Sequence, residues 1–157
     1  MIEQSDKVLL SSILKPEDVF FIEEESEKEQ IVHFLSDKIH KQVEKEFTVK
    51  YLLERVFEVE KLNNVLETGF YIPHAKLAEI DNFHAALVIL KKGFFDPSTD
   101  ITVKACFLLL TPNKSTFFQK HLNVLAKLSR LFQTDFIDSL TAMKDGKEVL
   151  AAIKTSE

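Results

Sequence analysis

Between residues 26 and 43 the apolar side chains recur with the period of a helix. In "SEKEQIVHFLSDKIHKQV", Ile31, Phe34, Leu35, Ile39 and Val43 share one face. Ser26 and Glu29 have capping-box spacing, which predicts the helix start. The preceding "EDVFFIEE" is short, aromatic and β-branched, as a strand would be. A second helix starts near Thr48 and carries Tyr51, Leu52, Val56 and Val59; the mixed periodicity of "ERVFEVEKLNN" leaves its end open. "GFYI" reads as a strand closed by Pro73, which cannot continue a central ladder. "HAALVILKK" and "ITVKACFLLL" are the next strands, with "KKGFFDPSTD" as the turn region between them. The second of these is apolar on both faces, so it belongs in the middle of a sheet covered on both sides. After "TPNKS" comes a long helix, "TFFQKHLNVLAKLSRLF", with Phe118, His121, Leu122, Leu125, Leu128 and Phe132 along one side. "TDFIDSLTAMKDGKEVLAAIK" gives one or two closing helices, with Asp145 as a cap. Strands and helices intermix without a linker or repeat. The pattern predicts one α/β domain over residues 1–157, a small sheet with helices packed on it.

Composition narrows the partners more than the fold. The chain has 157 residues and a net charge of -5, with lysines interleaved among glutamates rather than gathered in a basic stripe. That argues against nucleic acid or an anionic membrane as the main partner. No apolar run approaches the roughly 20 residues a spanning helix needs. The first residues are acidic rather than basic, so no signal peptide is expected and a cytoplasmic location is. The one cysteine, Cys106, sits inside an apolar run and reads as a small buried hydrophobe. With 14 Phe, 2 Tyr and no Trp, the aromatic residues are mostly core material.

The common catalytic signatures are missing: there is no Gly-rich phosphate loop, no HExxH, no CxxC and no G-x-S-x-G. The 5 histidines remain. His33 borders the apolar face of the first long helix and His40 lies on its exposed side; both read as surface positions. His84 opens a strand. His121 lies in line with the apolar face of the long helix, near the helix start, where free N–H groups suit an anion. His74 follows the strand that Pro73 closes, where a neutral imidazole is a usable nucleophile near pH 7. From "IPH" alone, that histidine is as well explained by a plain turn. The spacings of His74, His84 and His121 match no standard zinc pattern, so no metal is expected.

Taken together, these residues resemble a family. "TGFYIPHAK" is similar to the active-site loop of the IIA components of the bacterial phosphoenolpyruvate-dependent phosphotransferase system, fructose–mannitol group. That loop runs from a glycine through apolar residues to I-P-H, a small residue and a basic one: here Gly69, Phe70, Tyr71, Ile72, Pro73, His74, Ala75 and Lys76. "KACFLLLTP" followed by "HLNVLAKLSRLF" resembles the family's apolar strand and its H-L-x-x-L-A-x-L helix. "LSSILKPEDVFF" and "SEKEQIVHFLSDKI" are similar to its opening strand and first helix.

The resemblance implies a three-layer α/β/α sandwich with a small mixed sheet. It implies a phosphocarrier in which His74 accepts a phosphoryl group from an HPr-like protein and His121 contacts that group. No cofactor or metal is called for, and the partners are protein surfaces: the HPr-like carrier and either a IIB domain or a regulatory target. The nitrogen-regulatory branch fits a regulatory output; the alternatives are a sugar-specific IIA feeding a separate IIB and permease, or a protein-binding regulator that transfers nothing. The chain departs from the family pattern in three places. Asn64 stands where a Thr or Ser usually precedes the histidine by ten residues. Arg55 is the only arginine near the position of the usual R-E pair. Tyr71 replaces a small residue.

Overall fold

The computed structural model describes residues 7–43, 46–60 and 64–157. A five-stranded mixed sheet forms the middle layer. Its members are β1 (Val19–Ile22), β2 (Phe70–Tyr71), β3 (His74–Leu77), β4 (His84–Asp96) and β5 (Ile101–Pro112). β1 runs parallel to β4, β4 antiparallel to β5, and β5 parallel to both β2 and β3. The order is β1-β4-β5-β2, with β3 continuing the edge beyond β2.

Helices cover both faces. On one side lie α1 (Leu10–Ile13), α4 (Phe118–Leu131), α5 (Thr134–Thr141) and α6 (Gly146–Ser156), on the other α2 (Lys28–His40) and α3 (Val49–Glu60). Two apolar clusters result, one per face. Leu87, Ile89, Phe107 and Leu109 point into the first, with Leu128 and Phe132; Ala86, Val88, Cys106, Leu108 and Leu110 point into the second, with Leu35 and Leu52. This is the period-2 alternation of a strand. It shows why β5 reads as continuously apolar: its odd and even residues both meet a helical layer. Phe70 stacks on Phe132 with centroids 4.2 Å apart, which ties β2 to the end of α4. The three-layer α/β/α arrangement follows.

Several boundaries differ from the sequence reading. "LSSI" is not part of an opening strand but the short helix α1, and the strand begins at Val19. The capping box is shifted by one residue: Glu27 precedes α2, and its backbone N–H donates to Gln30 Oε1 at 2.9 Å. Ser26 Oγ is buried without a partner among the described residues. The second long helix starts as expected, with Thr48 Oγ1 accepting from Tyr51 N–H, and runs to Glu60; residues 61–63 of "EKLNN" lie outside those described. "KKGFF" is strand, not turn. Gly93, with φ of 75°, sits in a bulge that shifts the register between Ile89 and Phe94, and β4 then runs on to Asp96. A Cβ at this position would lie 2.4 Å from the Val103 carbonyl oxygen, so glycine here lets β5 come close. The turn itself is confined to residues 97–100. Asp145 caps α6, accepting from Glu148 N–H at 3.0 Å.

Candidate functional site

The chain approaches the site through a tight reversal. Gly69, with φ of 90°, turns residues 64–66 back along residues 70–72. Leu66 N–H donates to the Phe70 carbonyl and Ile72 N–H to the Asn64 carbonyl, while Val65 and Tyr71 form an isolated bridge. Pro73 then interrupts the edge of the sheet without ending it. Having no N–H, it separates β2 from β3, and the chain resumes pairing with β5 one residue later. His74 is therefore the first residue of a strand rather than a residue beyond one.

Its side chain is fixed by its own loop. His74 Nδ1 lies 2.9 Å from the Ile72 carbonyl oxygen. A carbonyl only accepts, so Nδ1 carries the proton, and in the neutral ring Nε2 keeps its lone pair. Ala75 and Leu77 point into the α2–α3 cluster, which directs His74 and Lys76 to the opposite face, the one α4 covers.

On that face is His121, in the first turn of α4. The two imidazole centroids are 5.4 Å apart, their planes inclined by 55°. His121 is 3% exposed, and its Nδ1 is 2.7 Å from Oγ1 of Thr111, itself buried at the end of β5. Burial, with the neighbouring His74 and Lys76, pushes the His121 pKa down from 6.5 to about 4. The ring is therefore neutral near pH 7 and able to hold one fixed tautomer.

Arg55 on α3 donates from Nη2 to the Lys76 carbonyl at 3.3 Å and from Nη1 to Glu58 at 3.0 Å, while its buried Nε has no hydrogen-bond partner among the described residues. An arginine–glutamate pair is thus present, spaced by three residues along a helix rather than adjacent. Asn64, held by its backbone to Ile72, also has a buried side-chain Nδ2 with no partner among the described residues. Buried donors left unpaired are costly and uncommon. Around the histidines Phe118 and Leu122 are exposed, with Lys76 Nζ 5.1 Å over the Phe118 ring.

The other histidines stand apart. His84 begins β4 on the same side as Ala86, so it belongs to the α2–α3 face. Its Nδ1 meets Gln42 Oε1 at 2.9 Å, and burial beside Lys15 lowers its pKa. His33 is exposed near Glu29. His40 is not the exposed residue the pattern suggested: it is half-buried, with Nε2 2.6 Å from the Phe47 carbonyl. Among the described residues no group of three or more His, Cys, Asp or Glu could hold a metal ion. Thr111 escaped the sequence reading. Its one signal was a hydroxyl closing the apolar run "CFLLL".

A mixed α/β/α sandwich with a proline-broken edge strand, presenting one histidine beside another from the facing helix, defines a class of small histidine-bearing domains. The chain belongs to the family described as phosphoenolpyruvate-dependent sugar phosphotransferase system, EIIA 2, whose pattern it matches over residues 12–156. No curated protein matches it significantly. Among solved structures, the nitrogen regulatory protein IIA-Ntr from Neisseria meningitidis is similar over 92% of this chain and 98% of that one, with 25% identity and a TM-score of 0.78. The mannitol IIA of Escherichia coli shares the fold over 89% of this chain and 98% of its own, at 17% identity and a TM-score of 0.70. The mannitol-specific cryptic phosphotransferase enzyme IIA of the same organism does so over 94% and 99%, at 16% identity and 0.64. No helix among the described residues is long and apolar enough to cross a membrane.

Proposed function

We propose that the protein is a phosphocarrier of the phosphotransferase system that takes a phosphoryl group onto Nε2 of His74. The observation that carries this reading is the bond from His74 Nδ1 to the Ile72 carbonyl at 2.9 Å, which leaves Nε2 as the nucleophilic nitrogen. The donor is the phosphohistidine of an HPr-like protein docked over the exposed rim of Phe118 and Leu122. His74 Nε2 attacks the phosphorus in line. One N–P bond forms as the donor's breaks, and the donor imidazole leaves with the bonding electron pair. No proton need leave His74, because its N–H stays with the Ile72 carbonyl.

Charge on the phosphoryl oxygens is the main thing to be stabilised in such a transfer. We assign the His121 proton to Nε2, with Nδ1 accepting from the Thr111 hydroxyl 2.7 Å away, so that the neutral ring can donate to a phosphoryl oxygen. The unpartnered Nδ2 of Asn64 supplies a second donor in place of a hydroxyl. Arg55 holds β3 through the Lys76 carbonyl. Downstream, the phosphoryl group passes to a IIB domain or alters a protein interface by the charge it brings. The likeness to a nitrogen regulatory protein favours the regulatory output, and the phosphotransferase family favours a cytoplasmic setting.

Incubation with phosphoenolpyruvate and the general transfer proteins should place an acid-labile phosphoryl group on the wild-type chain and none on His74→Ala. Label that persists in His74→Ala overturns the assignment. If the output is regulatory, His74→Ala and His74→Glu should retain different protein partners.

A further inference from the structure

Lys76 stands two residues after His74 in the same strand, so both side chains leave the sheet on the face that α4 covers. Its ammonium does not meet a carboxylate among the described residues; it rests 5.1 Å from the ring centroid of Phe118. Phe118 is one helical turn before His121 on α4 and about half exposed. The ammonium thus spans from the strand that presents one histidine to the helix that presents the other. Its field already reaches the pair, since it is one of the charges that keep His121 from protonating.

Two other cations nearby are committed. Arg55 is bound to Glu58 and to a backbone carbonyl. Lys114 is paired with Asp81. Lys120 is ring-held as Lys76 is, but over Phe117 and from α4, whereas Lys76 shares a strand with His74. Among the described residues the Lys76 ammonium is held only by the face of a half-exposed ring, a weak attachment compared with a charge-assisted hydrogen bond to a phosphoryl oxygen.

We propose that Lys76 is a phosphoryl-stabilising residue of this site, and that its ammonium leaves the Phe118 ring for the phosphoryl oxygens when His74 is modified. This rests on the phosphocarrier reading above. The move has two effects. It offsets part of the roughly two negative charges that the phosphoryl group brings. It also removes the cation from the ring of Phe118, so the rim that a partner meets changes from a lysine-covered aromatic to a bare one. A partner can then distinguish the two forms by an apolar contact as well as by charge.

The test uses the full chain with phosphoenolpyruvate and the general transfer proteins. In the unmodified protein, NMR should show the Lys76 ε-methylene protons shifted upfield by the ring, and Phe118→Leu should abolish that shift and so assign it. Phosphorylation of His74 should abolish it too. In parallel, Lys76→Met should move the transfer equilibrium about tenfold toward the donor protein, with Lys76→Arg retaining most of the wild-type value. A Lys76 signal that stays upfield in the phosphorylated protein overturns the proposal. So does Lys76→Met protein that folds as wild type and carries phosphate equally well. Label on His74 with Lys76 unmoved sinks the Lys76 assignment alone. Absence of label on wild-type His74 sinks the phosphocarrier reading, and the Lys76 role with it.

Discussion

Acidification should weaken the fold through His121 in particular. The group is buried, and its pKa falls from 6.5 to about 4 because the charged ring would lose its hydration and face His74 and Lys76. In the unfolded chain the same ring protonates near its ordinary value. Between those two values the unfolded chain binds a proton that the folded one does not, so stability drops as pH falls. The loss starts as pH goes below the unfolded value and is complete below the folded one. Going from about pH 8 to about pH 5, the two pKa values give a loss of about 2 kcal/mol, a sizeable share of a domain's usual margin. Other groups titrate in the same window, His84 among them, so the measurement is a difference. Urea denaturation of wild type and His121→Gln across that range isolates the contribution, because glutamine does not titrate. The mutant should show a shallower decline by about 2 kcal/mol over the interval, whatever its stability at neutral pH. Equal slopes for the two proteins would refute the buried-neutral account of His121.

Thr111→Val keeps the shape of the side chain but deletes the hydroxyl at His121 Nδ1. Nitrogen NMR should show the ring losing its single tautomer, with a stability loss of about 1–3 kcal/mol; an unchanged tautomer would mean that Thr111 does not orient the ring. Gly146→Ala would put a Cβ 2.1 Å from the Pro16 carbonyl oxygen. Denaturation should show a cost of roughly 1–3 kcal/mol as α6 is pushed off that turn, and a neutral result would contradict the close packing. Asn64→Ala removes the orphan amide donor; single-turnover transfer to His74 should slow while the fold keeps or gains stability, since an unpaired buried donor is lost. Unchanged or faster transfer would show that the amide does not help the phosphoryl site.

What could be read from the chain was whatever local periodicity controls. α2 and β5 were legible because one buries a single stripe and the other is covered on both faces; α4 was legible as a helix, but its buried stripe is His121, Val124 and Leu128, and Phe118 and Leu122 from the expected stripe are exposed. β4 was cut short because a Gly93 flanked by charged and aromatic residues looks like a turn, whereas only the neighbouring strand reveals that it is a bulge. Ser26 looked like the cap because spacing alone cannot tell it from Glu27, whose backbone is the one that Gln30 meets. His40 seemed exposed because the helical wheel does not know that the chain returns to Phe47. The site shows the same limit more sharply. His74 was a plausible nucleophile from its loop, but its contact with a ring 47 positions later depends on α4 crossing the face opposite α2. Only the family resemblance suggested that contact in advance. Thr111 and Glu58 belong to the network by geometry that no short motif encodes.

The broken edge of the sheet has a further effect, on how the molecule behaves in a crowd. An open edge strand is a template on which other chains can add strands. Here its outward-facing polar groups are taken one at a time. The Phe70 carbonyl goes to Leu66 N–H, Ile72 N–H to the Asn64 carbonyl, and the Ile72 carbonyl to the His74 ring. Pro73 offers no N–H, and the Lys76 carbonyl is held by Arg55. The contacts that position the histidine also leave little free ladder for a neighbouring molecule to copy. Variants that disturb this loop should therefore be watched for aggregation as well as for lost transfer.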